Sequence, residues 1–134
     1  MNKEIYVITN RNLVSSDEEY FKVIEGVVRA KVDYIILREK EFSDERLYLV
    51  AKKILLIIGN RKTKLIINSN IAVYSRLENV MLHLKFNDFL KYKKSLNEKV
   101  GVSIHSVEEV EIVEKLAPLY ILASNIYETK CKIG

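Results

Sequence analysis

Residues 34–40 read Tyr34-Ile35-Ile36-Leu37-Arg38-Glu39-Lys40, an apolar β-branched run that breaks abruptly into three charged residues. Such a run, four residues long and bounded by polar chain, is the pattern of a buried strand. Just downstream, Ser43 leads into Asp44 and Glu45, and Leu47, Val50, Ile54 and Ile57 then recur at the spacing of one helix face. A second apolar run follows at Leu65-Ile66-Ile67. Strand, helix and strand in that order make a βαβ unit, whose two strands lie parallel.

The same alternation extends in both directions. Strands are predicted at residues 5–9, 34–37, 65–67, 80–82, 100–102 and 120–122. Ser16 with Glu19, and Ser106 with Glu109, have the spacing of a reciprocal capping box, and Ser43 marks a third helix start. The first helix carries Phe21, Ile24, Val27 and Val28 on one face. The fold class is therefore α/β, built of repeating βα units in a single domain over residues 1–134. The spacing does not separate a closed barrel from an open sheet. In either, ligand-binding groups gather past the carboxyl ends of the strands. Neither the G-x-G-x-x-G nor the G-x-x-x-x-G-K-[ST] phosphate signature occurs.

Composition narrows the classes further. Of 134 residues, 49% are apolar and 30% charged, the balance of a globular domain that can bury a core. The longest apolar run, residues 54–58, is far short of the roughly 20 residues needed to span a bilayer. No secretory pattern opens the chain, so a cytoplasmic protein is expected, with no membrane partner. A lone Cys131 has no second cysteine for a disulfide or a zinc pair. The net charge of +4 is spread among interleaved signs, and the clusters at 61–64 and 91–94 are those of solvated surface, so no nucleic-acid partner is expected.

The strand ends supply the candidate site residues. Arg38 and Lys40 flank Glu39, and an arginine fork beside a mobile lysine suits an anion, although three such residues by themselves are more commonly a surface salt-bridge group. Asn68-Ser69-Asn70 follows the third strand with hydrogen-bonding groups that also serve turns and caps. His83 and Asp88 could pair as metal ligands or as acid and base, although a lone histidine at a strand end is more commonly a satisfied polar residue. Ser103 and His105 lie two apart on one strand without a nucleophile elbow, and Ser106 is engaged as a cap, which argues against acyl transfer. The last stretch offers Asn125, Glu128, Lys130, Cys131 and Lys132.

In order along the chain stand Tyr6-Val7-Ile8-Thr9-Asn10, Leu37-Arg38-Glu39-Lys40, Leu65-Ile66-Ile67-Asn68, Leu82-His83-Leu84 and Gly101-Val102-Ser103-Ile104-His105-Ser106-Val107-Glu108-Glu109. Together they resemble the thiamine phosphate synthase and TenI-type thiazole tautomerase family over essentially the whole chain. The closing Glu128-Thr129-Lys130-Cys131-Lys132-Ile133-Gly134 is similar to the tautomerase branch. The resemblance implies a TIM-barrel-like fold that is incomplete, with about six of the eight strands. It implies phosphate or diphosphate binding by Arg38, Lys40, Asn68, Ser103 and Lys132, and a magnesium ligand at Asp88. Ile36 stands at the family's glutamine position and Ser69 at one of its two aspartates, which argues against magnesium-assisted coupling. Asn125 occupies the tautomerase histidine position, and an amide cannot serve as a general base.

Three readings follow. The first is a TenI-like member of the thiamine biosynthesis family that binds a thiazole phosphate or similar anion and is catalytically impaired. The second is a thiamine phosphate synthase joining a pyrimidine diphosphate to a thiazole phosphate. The third is a non-catalytic regulatory or interaction protein, with an open sheet edge that a second copy could cover as a homodimer.

Overall fold

The computed structural model describes residues 3–93 and 100–123. They fall into two compact units, divided between Val80 and Met81.

In the first unit β1 (Tyr6–Ile8), β2 (Tyr34–Leu37) and β3 (Lys64–Asn68) alternate with α1 (Asp17–Arg29) and α2 (Asp44–Ile58), and a short α3 (Ile71–Ser75) follows. The pairing is parallel, in the registers Tyr6↔Tyr34 to Ile8↔Ile36 and Tyr34↔Lys64 to Leu37↔Ile67. Ile35, Leu37, Leu65 and Ile67 pack with Ile24 and Val28 of α1 and with Leu47, Ala51 and Ile54 of α2 in one core. Ile36 and Ile66, on the alternate face of the pleat, are buried too. That is why the strands read as continuous apolar runs rather than as alternating ones.

In the second unit β4 (Val80–Lys85), α4 (Phe86–Tyr92), β5 (Val100–Ile104), α5 (Val107–Glu114) and β6 (Ile121–Ala123) repeat the plan. β5 pairs parallel with both neighbours, through His83↔Gly101 and Lys85↔Ser103 on one side and Ser103↔Leu122 on the other. Leu82, Leu84, Phe89, Val100, Val102, Ile104 and Val113 are buried.

Several sequence expectations shift in detail. All three serines cap their helices, accepting from the N–H of Glu19, Arg46 and Glu109. The reciprocal half of each capping box lands one residue early, however. Glu19 accepts from the Ser15 N–H and Glu109 from the His105 N–H, rather than from the capping serines. On α1 it is Tyr20, Ile24 and Val28 that are buried, while Phe21 and Val27 only border the core. A 3-10 turn at Arg11–Leu13, α3 and α4 are too short for a helical period to announce them. β4 and β5 run on to Lys85 and Ile104, further than expected, which places His83 and Ser103 within strands.

Candidate functional site

The first unit gathers its polar groups at the carboxyl ends of its strands. Thr9, buried just past β1, donates its N–H to the Ile36 carbonyl and accepts on Oγ1 from the Arg38 N–H at 3.0 Å. Glu39 turns inward. Its carboxylate accepts the Arg11 N–H on both oxygens, at 3.0 and 3.1 Å, and the Tyr20 hydroxyl on Oε2 at 2.7 Å. Burial pushes the Tyr20 phenol far above its usual range, a rise that the Thr9 hydrogen bond partly opposes and Glu39 reinforces. The phenol is thus held as a donor. One carboxylate ties the loop after β2 to the turn after β1 and to α1.

Fixing Glu39 leaves Arg38 and Lys40 exposed on either side of it. Among the described residues neither forms an ion pair. They line a cleft of about 330 Å³ with four basic side chains, Arg11, Arg38, Lys40 and Arg46, against the carboxylates of Glu39 and Glu41. Two of those cations are already engaged. Arg11 Nε lies 2.8 Å from Asp17, whose carboxyl it holds below the usual range, and Arg46 reaches the same oxygen at 3.3 Å while stacking over Phe42. Charge to spare for a ligand therefore sits on Arg38 and Lys40.

Asn68 is the half-buried last residue of β3. One step beyond the register pair Leu37↔Ile67, it leaves its strand beside Arg38. Ser69 takes a left-handed backbone, with φ of 58°. That region is tolerated better by aspartate and asparagine than by serine. Asn70 is committed to structure, capping α3 through the Val73 N–H and donating to Asp44 at 2.8 Å.

The second unit has a different centre. His83 is 4% exposed, with Nδ1 2.7 Å from the Tyr120 hydroxyl and Nε2 hydrogen-bonded to Ser103 Oγ. The expectation of a satisfied polar histidine holds. His105 is exposed, and Ser103 has His83 as its ring partner. The signal for Tyr120 was Gly101: glycine inside a strand marks close approach of another group. A Cβ at Gly101 would run into the Tyr120 ring.

Asp88 is half-buried in the first turn of α4. Among the described residues no three His, Cys, Asp or Glu side chains come together. Asn125, Cys131 and Lys132 lie outside the described residues. No helix among the described residues is long and apolar enough to cross a membrane.

Parallel βα repeats with polar groups at the strand ends define the class, an α/β protein of the TIM-barrel kind. The solved thiamine phosphate pyrophosphorylase from Pyrococcus furiosus superposes with a TM-score of 0.75 at 19% identity, over 95% of this chain and 62% of that one. The fold is thus TIM-barrel-like but incomplete. The chain belongs to the TMP-TENI family, described as thiamine monophosphate synthase, whose sequence profile matches residues 5–134. The thiamine-phosphate synthase of Clostridium acetobutylicum is 30% identical over 96% of this chain and 63% of its own length. That of Fusobacterium nucleatum is 28% identical over 96% and 64%. The chain thus spans just under two thirds of the length of these relatives.

Proposed function

We propose that this chain binds a phosphorylated ligand of thiamine biosynthesis at the end of β2, with Arg38 and Lys40 on the phosphate oxygens and Asn68 hydrogen-bonding beside them. The observation that carries this reading is the inward-turned Glu39, which orders the loop while leaving both neighbouring cations exposed and unpaired among the described residues. Arginine supplies a planar fork to the anion and lysine a point charge. Catalysis is impaired in this reading, because Ser69 replaces a carboxylate of the family pattern and Asn125 replaces a titrating base.

Calorimetric titration with inorganic pyrophosphate and with thiamine monophosphate tests it. Binding should weaken about tenfold or more in Arg38→Ala and in Lys40→Ala, the scale of one lost charge-assisted contact. Unchanged binding in both variants contradicts the assignment. The synthase reading is favoured by the names of the relatives and by the backbone of Ser69, which suits an aspartate. It requires pyrophosphate binding to strengthen with magnesium, and Ser69→Asp to enlarge that effect. A well-folded protein that binds neither compound would be an interaction protein instead.

A further inference from the structure

We propose that the hydroxyls of Thr9 and Tyr20 are positioning groups for the phosphate site, closing a ring of hydrogen bonds on residues 38 and 39 that aims Arg38 before a ligand arrives. The inference deepens the binding reading above and rests on it. All four residues belong to the first unit. Thr9 follows β1 and Tyr20 stands near the start of α1, and both residues are buried, at 6% and 4% exposure. The Arg38 N–H donates to Thr9 Oγ1 at 3.0 Å, and the Tyr20 hydroxyl donates to Glu39 Oε2 at 2.7 Å. Leu37, the last residue of β2, packs in the same core as Tyr20, so the phenol meets the chain as it leaves the strand.

The hydrogens of this ring have one arrangement. A backbone N–H can only donate and a carboxylate can only accept, so both ends are fixed. Glu39 takes the Arg11 N–H on both oxygens, as a carboxylate does. The single phenol hydrogen is spent on Glu39, which leaves the phenol oxygen to accept from Thr9. That direction agrees with the Thr9 hydrogen bond opposing the rise of the Tyr20 pKa, because a donor on the phenol oxygen favours the phenolate. Thr9 therefore accepts from Arg38 and donates to Tyr20. A threonine or serine hydroxyl can do both at once, and an apolar side chain of the same shape can do neither. Two adjacent residues are thus held, one by its N–H and the next by its carboxylate. Ordering a loop when a ligand binds subtracts from affinity, and a loop already held avoids that loss.

Amide hydrogen exchange of the ligand-free full chain reads the held backbone directly. Thr9→Val should speed exchange at Arg38 about tenfold, and Thr9→Ser should leave it at the native rate. An unchanged rate in Thr9→Val overturns the proposal. Calorimetric titration with thiamine monophosphate reads the consequence for binding. Thr9→Val should weaken it about fivefold, the scale of one lost hydrogen bond, and Thr9→Ser should stay within about twofold of the native chain. Tyr20→Phe, which keeps its ring in the core, should give a similar loss, and the two losses should not add, because either change opens the same ring. With Arg38→Ala already present, Thr9→Val should cost less than about twofold. Additive losses, an equal loss without the Arg38 side chain, or a serine variant as weak as the valine one overturns the proposal. If the native chain binds no thiamine monophosphate, the binding reading fails, and the exchange rates alone decide whether Thr9 holds the Arg38 backbone.

Discussion

At the end of β2 a charged side chain is drawn inward and two charged neighbours stay in solvent. On the face of β4 and β5 the polar groups are uncharged hydroxyls and an imidazole, arranged by close packing. Glu39 organises its loops through charge-assisted hydrogen bonds, which tolerate small displacements but depend on ionisation. The His83 cluster depends on shape, because the Tyr120 ring fits only over a glycine. One family fold thus positions polar groups by electrostatics in one unit and by steric fit in the other. Substitutions should tell the two apart.

The largest effect is expected at Gly101. Gly101→Ala forces its methyl into the Tyr120 ring and should cost about 3 kcal/mol in urea unfolding, the upper part of the range for overpacking. Tyr120→Ala in the same chain should relieve part of that cost. If Gly101→Ala is neutral, the steric account of the second unit is wrong. Next comes Glu39→Gln, which keeps the shape but removes the charge that receives the Arg11 N–H and the Tyr20 hydroxyl. It should cost about 2 kcal/mol, since hydrogen bonds to charged groups are worth about 1.5–3 kcal/mol. A neutral result there would mean that shape, not charge, orders this loop too.

Helix caps give a control common to both units. Ser16→Ala and Ser106→Ala should each cost about 1 kcal/mol. Clearly unequal losses would mean that the two units differ in cooperativity rather than in chemistry.

The smallest effect is on pH dependence. The Ile5 N–H and, second, Lys62 hold the Asp33 carboxyl below its usual value of 3.8, and a hydrogen bond from Arg11 does the same for Asp17. The folded chain binds these protons less readily than the unfolded one, so the stabilisation is present above the usual carboxylate pKa and is lost as pH falls through the lowered values. Tyr20 has the opposite sign. Its raised pKa contributes stability below the usual value of 10.0, lost as pH rises towards the folded-state value. In acid titrations of thermal stability, Asp33→Asn should shallow the acid limb slightly. An unchanged limb would remove Asp33 from the account.

Much of the fold could be read from the chain, and the reasons are local. Runs such as Ile35-Ile36-Leu37 and Leu65-Ile66-Ile67 announce strands buried on both faces, and serine followed by acidic residues announces helix starts. Arg38, Lys40 and Asn68 emerged because a strand end is visible in sequence. The partners of Glu39 and His83 did not. Tyr20 lies 19 residues from Glu39 and Tyr120 lies 37 from His83, separations that no local pattern encodes. Gly101 was the one sequence trace of the second contact, and Tyr20 was masked by a helix face that also fits Phe21. His105, two residues from Ser103, drew attention that belonged to His83 across the strand pair.

The central claim is that a phosphate group is held at the end of β2. Titrating the labelled chain with thiamine monophosphate, and following backbone amide resonances, tests it most directly. Shifts should concentrate at residues 38–40 and 68, saturate with ligand, and fade in Lys40→Ala. Saturable shifts confined to other residues, or none at all in a well-dispersed spectrum, would contradict it.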